Sequence, residues 1–261
     1  MSDPESMAGA AQPASRLLPE AEPMDVQDIR DALVIRERDL FLLTDKTGEV
    51  PEGNINGHGL YFADTRYLST FEFSLAEKKS MVLLSTAELG YSSEHVLTNY
   101  ALTDLDGRKI PRATVQVHRT RVVEDALEET LRVDNYNNFP VHLDLQFRFA
   151  GDFADIFVVR GFAPEQGGEA AQPAIWNGES RRISYRGTDD RPRETTITFK
   201  TRPWSVETIG ATTQVTFRER LAAREHKVLS LVIAVDDRVE VFREVSRFDV
   251  VSQEYDAWKR E

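Results

Sequence analysis

The stretch Val141-His-Leu-Asp-Leu-Gln-Phe-Arg-Phe149 alternates apolar and polar side chains without interruption. Successive side chains of a β-strand point to opposite sides, so the apolar residues share one face and the polar residues share the other. A pairing shift of one residue would expose the whole apolar set, and the register is therefore firmly specified. A long strand with one buried and one wet face predicts a layered structure in which a second sheet covers the apolar side.

Shorter segments with the same alternation flank this strand on both sides. They are Phe71 to Leu75, Val115 to Val123, Leu127 to Val133, Thr195 to Phe199 and Thr213 to Phe217. Turn sequences such as Asp106-Gly107 separate them, and many strands at short spacing predict an antiparallel β-sandwich. The segment Val228-Leu-Ser-Leu-Val-Ile-Ala-Val235 is apolar on both faces, which predicts a central strand covered on each side.

Three regions are predicted along the chain. Residues 1–28 hold four prolines and six acids against one base, Arg16, and this composition predicts a disordered acidic tail. Residues 29–238 form the β-domain. In residues 239–261 the apolar side chains recur at intervals of three and four, which predicts a C-terminal amphipathic helix; they are Val241, Val245, Phe248, Val251, Tyr255 and Trp258. Such a stripe needs a surface to cover, either the sandwich or something outside this chain.

Composition excludes several classes of partner. The 44 acidic and 32 basic residues give a net charge of −12, which repels phosphate backbones and anionic lipids, so neither nucleic acid nor membrane binding is expected. No apolar run approaches the ~18 residues of a membrane-spanning helix. The chain has no cysteine, and its start lacks the basic and apolar pattern of a secretory signal. We expect a cytoplasmic protein.

The sequence contains no recognisable catalytic constellation. The five histidines fall in different predicted elements without a helical ligand spacing, so no metal site is predicted. Nucleophile-elbow, phosphate-loop and dinucleotide motifs are absent, and no cofactor is expected. Glycoside hydrolysis needs a pair of carboxyl groups at a defined separation, and the sequence nominates no such pair. We therefore predict that this chain alone is not catalytic.

Two charged segments embedded among aromatic residues stand apart from this background. Gly59 to Ser69 carries Asp64 and Arg66, and Ala150 to Gly161 carries Asp152, Asp155 and Arg160. In a structural interpretation these are corners where acids cap backbone N–H groups and an arginine neutralises them. In a functional interpretation they contact a sugar. The candidates for substrate contact are Asp64, Arg66, Asp155 and Arg160.

The same two segments resemble the N-terminal domain of bacterial glycogen-debranching enzymes of the amylo-α-1,6-glucosidase type. The opening from Val34-Ile-Arg-Glu to Leu43-Thr and the closing Tyr255-Asp-Ala-Trp258 also look like that family, so the resemblance runs from about residue 30 to the end. One position departs from the pattern: Val158 stands where an acidic residue is expected.

The resemblance implies a β-supersandwich joined by a helical linker to an (α/α)₆ barrel, which carries the carboxylates that cleave the glycosidic bond. The chain is then a non-catalytic module that stabilises the barrel, in cis or in trans, and shapes its substrate entrance. Two alternatives remain open. One is a stand-alone protein that binds α-glucan on exposed aromatics such as Trp176 and Trp204. The other is a self-sufficient hydrolase that uses Asp152 or Asp155.

Overall fold

A computed structural model describes residues 32–54, 57–161, 180–186 and 191–236. Within these ranges almost every regular element is a β-strand, and all strand pairs are antiparallel. The predicted all-β antiparallel class is confirmed. The predicted acidic tail and the predicted linker helix lie outside the described residues, as do Trp176 and Trp258. The division into three regions therefore stays a prediction.

Seventeen strands and one helical turn occur in the described part of the chain. In order they are β1 (Leu33–Glu37), β2 (Leu40–Thr44), β3 (Gly59–Phe62), β4 (Thr65–Leu68), β5 (Thr70–Leu75), β6 (Met81–Thr86), β7 (Ser92–Thr98), β8 (Leu102–Thr103), β9 (Lys109–Ile110), β10 (Val115–Val123), β11 (Leu127–Asn135), β12 (Val141–Ala150), α1 (Ile156–Val159), β13 (Ser180–Arg186), β14 (Pro192–Phe199), β15 (Ser205–Ile209), β16 (Thr212–Leu221) and β17 (His226–Val235). No helix among the described residues is long and apolar enough to cross a membrane.

The strands form one large sheet and two smaller sheets that pack against it. The large sheet has seven strands in the order β13-β14-β17-β11-β10-β7-β6. The smaller sheets have the orders β15-β16-β12-β5 and β1-β2-β3-β4, and β8 pairs with β9 in a short ribbon. One hydrophobic core cluster runs through all three larger sheets, so the architecture is a sandwich with its core between the layers.

The decisive strand β12 lies between β16 and β5, where its apolar face is buried as predicted. Phe147 pairs with Phe73, Phe149 pairs with Phe71, and both β12 rings are fully buried. Phe199 of the large sheet meets them from the opposite layer, with ring centroids 5.9 and 6.1 Å away. This aromatic contact joins the two layers and fixes the register of β12.

Strand β17 is central in the large sheet, between β14 and β11, as its apolar sequence predicted. Its residues from Leu231 to Val235 are all buried, whereas Val228 near its start is 49% exposed. The second half of the strand is therefore covered on both faces.

Candidate functional site

The first of the two charged segments folds into a tight β-hairpin formed by β3 and β4. The two residues of its turn, Ala63 and Asp64, both have positive φ values of 45° and 65°, the backbone combination that suits a two-residue hairpin turn. Gly59 at the start of β3 lies so close to β4 that a Cβ atom there would be 2.7 Å from the carbonyl oxygen of Leu68. Only glycine allows this approach.

The second segment docks along β4, so the structure brings the two predicted segments together. Thr65 and Asp155 form an antiparallel bridge. The N–H of Arg66 donates to the carbonyl of Ala154 at 2.9 Å, and the N–H of Ile156 donates to the carbonyl of Asp64 at 2.8 Å. We call this arrangement, residues 59–68 with residues 152–161, the corner.

An ion pair between Arg66 and Asp152 ties the two halves of the corner. Arg66 Nε donates to Asp152 Oδ1 at 3.1 Å, and its Nη2 donates to Oδ2. The arginine side chain is 12% exposed and the aspartate side chain 37% exposed. Burial lowers the pKa of the Arg66 guanidinium. The hydrogen bond and the charge of Asp152 raise this pKa by more, so it lies above its ordinary value. Asp152 therefore has a structural partner, which disfavours it as a free catalytic acid.

Tyr61 occupies the inner side of the corner, beside Arg66. Its hydroxyl donates to the carbonyl of Gly57 at 2.7 Å, and its ring stacks on Phe41 with centroids 4.8 Å apart. Burial raises the pKa of the Tyr61 phenol, although the charge of Arg66 and, more weakly, that of Arg160 act to lower it. The side chain is thus a neutral, fixed packing element.

Asp155 and Arg160 lie at the two ends of the helical turn α1. Asp155 Oδ1 accepts the N–H of Phe157 at 2.8 Å, which makes Asp155 the N-cap. The N–H of Arg160 donates to the carbonyl of Ile156 at 3.0 Å at the other end. The side chains of both residues are exposed, as is that of Asp64 in the hairpin turn. Three of the four predicted contact residues therefore face solvent at the corner, while Arg66 turns inward.

Phe157 is the corner residue that sequence reasoning missed. It is 57% exposed, although it belongs to the apolar run Ile156-Phe-Val-Val159 that resembles a buried strand. The signal in the sequence was Asp155, two positions earlier. Aspartate is a common N-cap residue, so it indicates a helical turn in which one apolar side chain points outward.

A second charged group is buried between the layers and was also missed. We call it the buried charge cluster: Arg119 and Arg121 of β10, Glu129 of β11 and Glu49. Arg119 donates to Glu129 at 2.8 Å and to Glu49 at 2.7 Å. Arg121 donates to Glu129 and to the carbonyl of Gly48. Both arginine side chains and that of Glu129 are fully buried, so each charge depends on its partners for compensation.

His95 adjoins the buried charge cluster as a neutral group. Its two ring nitrogens contact Ser85 Oγ at 2.7 Å and Ser93 Oγ at 3.2 Å. Burial, with the charges of Arg121 and Arg119, lowers the pKa of His95 to about 2. In the described part of the chain, no group of three or more histidine, aspartate and glutamate side chains is arranged to hold a metal ion.

A pocket of about 190 Å³ opens beside Glu49. Its lining residues are Thr47, Glu49, Glu72, Phe73, Ser74, Glu77, Lys79, Ser80, Leu97 and Arg148. Two of its carboxyl groups have arginine partners: Glu49 accepts a hydrogen bond from Arg119, and Glu72 lies 3.2 Å from Arg148. The second oxygen of Glu49 accepts the N–H of Phe73 at 3.0 Å. Glu49 and Glu72 therefore both make structural contacts beside this pocket.

The layered antiparallel sheets and the paired internal charges define a β-sandwich domain. Residues 35–232 match the family model for the N-terminal domain of (some) glycogen debranching enzymes. The match covers most of the chain, so the chain belongs to this family, and the resemblance noted in the sequence is confirmed. Sequence comparison with curated proteins gives no match.

One solved structure extends the likeness at the level of fold. A putative kojibiose phosphorylase from the human microbiome is similar with a TM-score of 0.55 and 9% identity, over 88% of this chain and 34% of that one. The chain thus spans about a third of the length of that phosphorylase. A galactose mutarotase related enzyme from Lactobacillus acidophilus gives a TM-score of 0.42 and 6% identity, over 81% of this chain and 99% of that one. A polysaccharide lyase gives a TM-score of 0.37 and 10% identity, over 80% of this chain and 33% of that one.

Substitution of Asp152 by Asn tests the ion pair at the corner. We expect it to lower the free energy of unfolding by about 1–2 kcal/mol, because it leaves the largely buried Arg66 without its carboxylate. Asp64→Asn is the matched control, since Asn adopts positive φ and the side chain is exposed, and it should cost less than about 0.5 kcal/mol. Urea unfolding of both variants measures the difference. Equal effects would show that Asp152 and Arg66 are not coupled.

The pH dependence of stability tests the environment of Glu49. Burial raises the pKa of Glu49 from 4.5 to about 7, against the opposing charges of Arg119 and Arg121. The folded chain then holds a proton on Glu49 that the unfolded chain releases between these pH values, so this residue's contribution to stability falls as the pH rises.

The measurement compares the chain with Glu49→Gln by urea unfolding at several pH values. The unfolding free energy of the unsubstituted chain minus that of the variant should decrease by roughly 1–3 kcal/mol from about pH 4.5 to about pH 7.5. Parallel pH curves for the two proteins would contradict a raised pKa.

Proposed function

We propose that this chain is the non-catalytic N-terminal module of a glycogen-debranching, amylo-α-1,6-glucosidase-like glycoside hydrolase. In this role it packs on an (α/α)₆ catalytic barrel, stabilises it and shapes its substrate entrance. Membership of the debranching-enzyme family supports the assignment. The proposal includes a cytoplasmic location, which suits a chain without cysteine, and it includes no cofactor.

The exposed corner is the observation that carries this proposal. Phe157 presents an aromatic ring to solvent, and Asp64, Asp155 and Arg160 are exposed charged residues of the same corner. An apolar anchor within a polar rim is the usual composition of a protein interface. The carboxylates and the guanidinium are also groups that hydrogen-bond sugar hydroxyls. A surface of this kind fits a contact with the barrel at the rim of a sugar pocket.

The backbone at the corner supports the same role because it is fixed before any partner arrives. The bridge between Thr65 and Asp155 and the Arg66–Asp152 ion pair hold the hairpin against α1. A pre-organised surface loses little conformational entropy on binding. Asp64, Arg66, Asp155 and Arg160 remain the proposed contact residues, with Arg66 acting through Asp152 to position the others.

Reconstitution with a separately expressed catalytic barrel of a glycogen debranching enzyme tests the module. The chain alone should release no glucose from α-1,6-branched dextrin, and its addition should raise the thermal midpoint and the activity of the barrel. Phe157→Asp should weaken this association by about tenfold or more, because it places a charge in the apolar centre of the contact.

The matched control for the reconstitution is Trp204→Ala, an exposed aromatic away from the corner, which should bind the barrel normally. Hydrolysis by the chain alone that survives repurification would reject the non-catalytic assignment. Equal association by the Phe157→Asp variant and the control would remove the corner from the interface.

Direct binding of α-glucan is a second candidate function, and Trp204 favours it. The indole is 65% exposed. The guanidinium of Arg218 lies 4.7 Å from the centre of its ring, and Asp144 holds Arg218 through two hydrogen bonds of 2.9 Å. The aromatic ring is thus oriented by its neighbours, as a platform for stacking a sugar requires.

Retention on immobilised amylose or glycogen measures this second function. If Trp204 is the platform, the unsubstituted chain should be retained by the column at micromolar concentration. The Trp204→Ala variant should elute in the void volume, because it lacks the stacking surface. Tyr136→Ala, which removes another exposed aromatic, is the control and should behave like the unsubstituted chain. Absence of retention by the unsubstituted chain would remove this function.

A further inference from the structure

A patch of small residues is buried on the outer face of the seven-stranded sheet. Val232 and Ala234 of β17 are 2% and 1% exposed, and Ala126 in the turn before β11 is 8% exposed. They form a cluster separate from the main core. The alternate residues of β17, Leu231 and Ile233, point into the main core, so Val232 and Ala234 point away from it. We call Ala126, Val232 and Ala234 the outer patch.

The described strands that pack on this sheet contact its inner face. Arg119 and Arg121, which reach Gly48 and Glu49, lie on the inner face, and so does Thr195, whose hydroxyl donates to the carbonyl of Tyr67 at 3.0 Å. Val228 shares the outer face with the outer patch and is 49% exposed. The buried part of the outer face therefore lies toward the end of β17.

The course of the chain at that point is fixed by Asp236. This residue has a positive φ of 53° directly after β17, which turns the backbone away from the strand direction. Its N–H donates to the carbonyl of Glu194 at 2.8 Å, its carboxylate accepts the N–H of Glu194 at 3.0 Å, and it accepts the Tyr67 hydroxyl at 2.5 Å. The described chain therefore ends at a defined place, two residues after Ala234 of the outer patch.

We propose that the C-terminal segment, residues 239–261, folds back and packs its apolar stripe on the outer patch. The stripe runs from Val241 to Trp258, and as a helix it would be about 27 Å long. The outer face from β17 to the edge strand β6 spans four strand spacings, or about 19 Å. The segment is thus long enough to cross the sheet.

The observations favour this occupant over a second copy or a separate domain. Val241 follows Ala234 by only seven positions, so the segment meets the outer patch at a high effective concentration and with little loop-closure entropy. Small side chains allow a helix to approach the sheet closely, and the stripe needs an apolar surface to cover. Residues 239–261 are then part of the sandwich domain, and their packing on the sheet sets the direction of this segment. This inference does not rest on the proposed function.

Single cysteines introduced into the full chain test the proposal, because the chain has no cysteine of its own. Val228→Cys and Val232→Cys place a thiol at an exposed and a buried position of the same face. We expect a maleimide to label the thiol at 232 at least about tenfold more slowly than the thiol at 228, since it reacts only when the cover opens. Ala234→Cys, which alters volume less, repeats the measurement.

A second substitution identifies the cover. Phe248→Asp, on the stripe, should accelerate labelling at 232 by about tenfold or more, because the charge cannot be buried against the outer patch. Phe242→Asp makes the same chemical change off the stripe and should leave labelling slow. Protection of the β12 amides from hydrogen exchange verifies that each variant is folded, and Phe248→Ala replaces Phe248→Asp if that protection is lost.

Three results would overturn the proposal. Labelling at 232 as fast as at 228 in the chain with no second substitution would show that the outer patch is open. Slow labelling that persists in the folded Phe248 variant would show that something other than the stripe covers it. Labelling that slows as the protein concentration rises would assign the cover to a second copy of the chain.

Discussion

The fold depends on the compensation of the buried charge cluster. Two fully buried guanidinium groups, those of Arg119 and Arg121, lie between the layers, and removing each from water costs several kcal/mol. Glu129 on the neighbouring strand and Glu49 with the Gly48 carbonyl from the opposite layer provide the compensation. The Phe71 ring lies 5.2 and 4.5 Å from the two guanidinium carbons and adds a cation–π contact. The layers are therefore joined by hydrogen bonds from buried guanidinium groups as well as by apolar packing.

This constraint extends from the core to the corner. Glu49 also accepts the N–H of Phe73, and its neighbour Val50 bridges Phe71, so the residues before β3 are attached to β5. Strand β5 in turn pairs with β12, whose end leads into the Asp152 segment. Both halves of the corner thus start from elements that the buried charge cluster and the aromatic core fix. A surface built on such supports keeps its geometry without a partner.

Sequence reasoning identified the strands that have a clean period but not the charges inside them. Residues Val141 to Phe149 of β12 alternate apolar and polar side chains in the sequence, and the burial of the apolar face specifies the register. In β10, however, Arg119 and Arg121 occupy the same phase as Val115, Val117 and Val123. That phase places both arginines on the core face and was a usable signal. Which carboxylate would reach them was not predictable, because Glu49 lies 70 positions from Arg119 in the chain.

The candidate contact residues show the same division between local and distant information. That Asp155 caps a helical turn and that Asp64 occupies a hairpin turn follow from residue type and local spacing. The pairing of Arg66 with Asp152 joins residues 86 positions apart and required the fold. Sequence alone placed all of these residues in two unrelated segments, and only the pairing along β4 makes them one surface.

Strand β4 also links the corner to the end of β17. Arg66 and Tyr67 are consecutive residues of β4, at a shift in its register with β3, and their side chains have different partners. Arg66 binds Asp152 at the corner, whereas the Tyr67 hydroxyl binds Asp236 at the end of β17, and its ring packs on Phe153 with centroids 5.5 Å apart. Two neighbouring residues of a short strand thereby fix the corner relative to Asp236, the last residue of the described chain. The corner and the end of β17 are therefore held in one arrangement by side chains of the same strand.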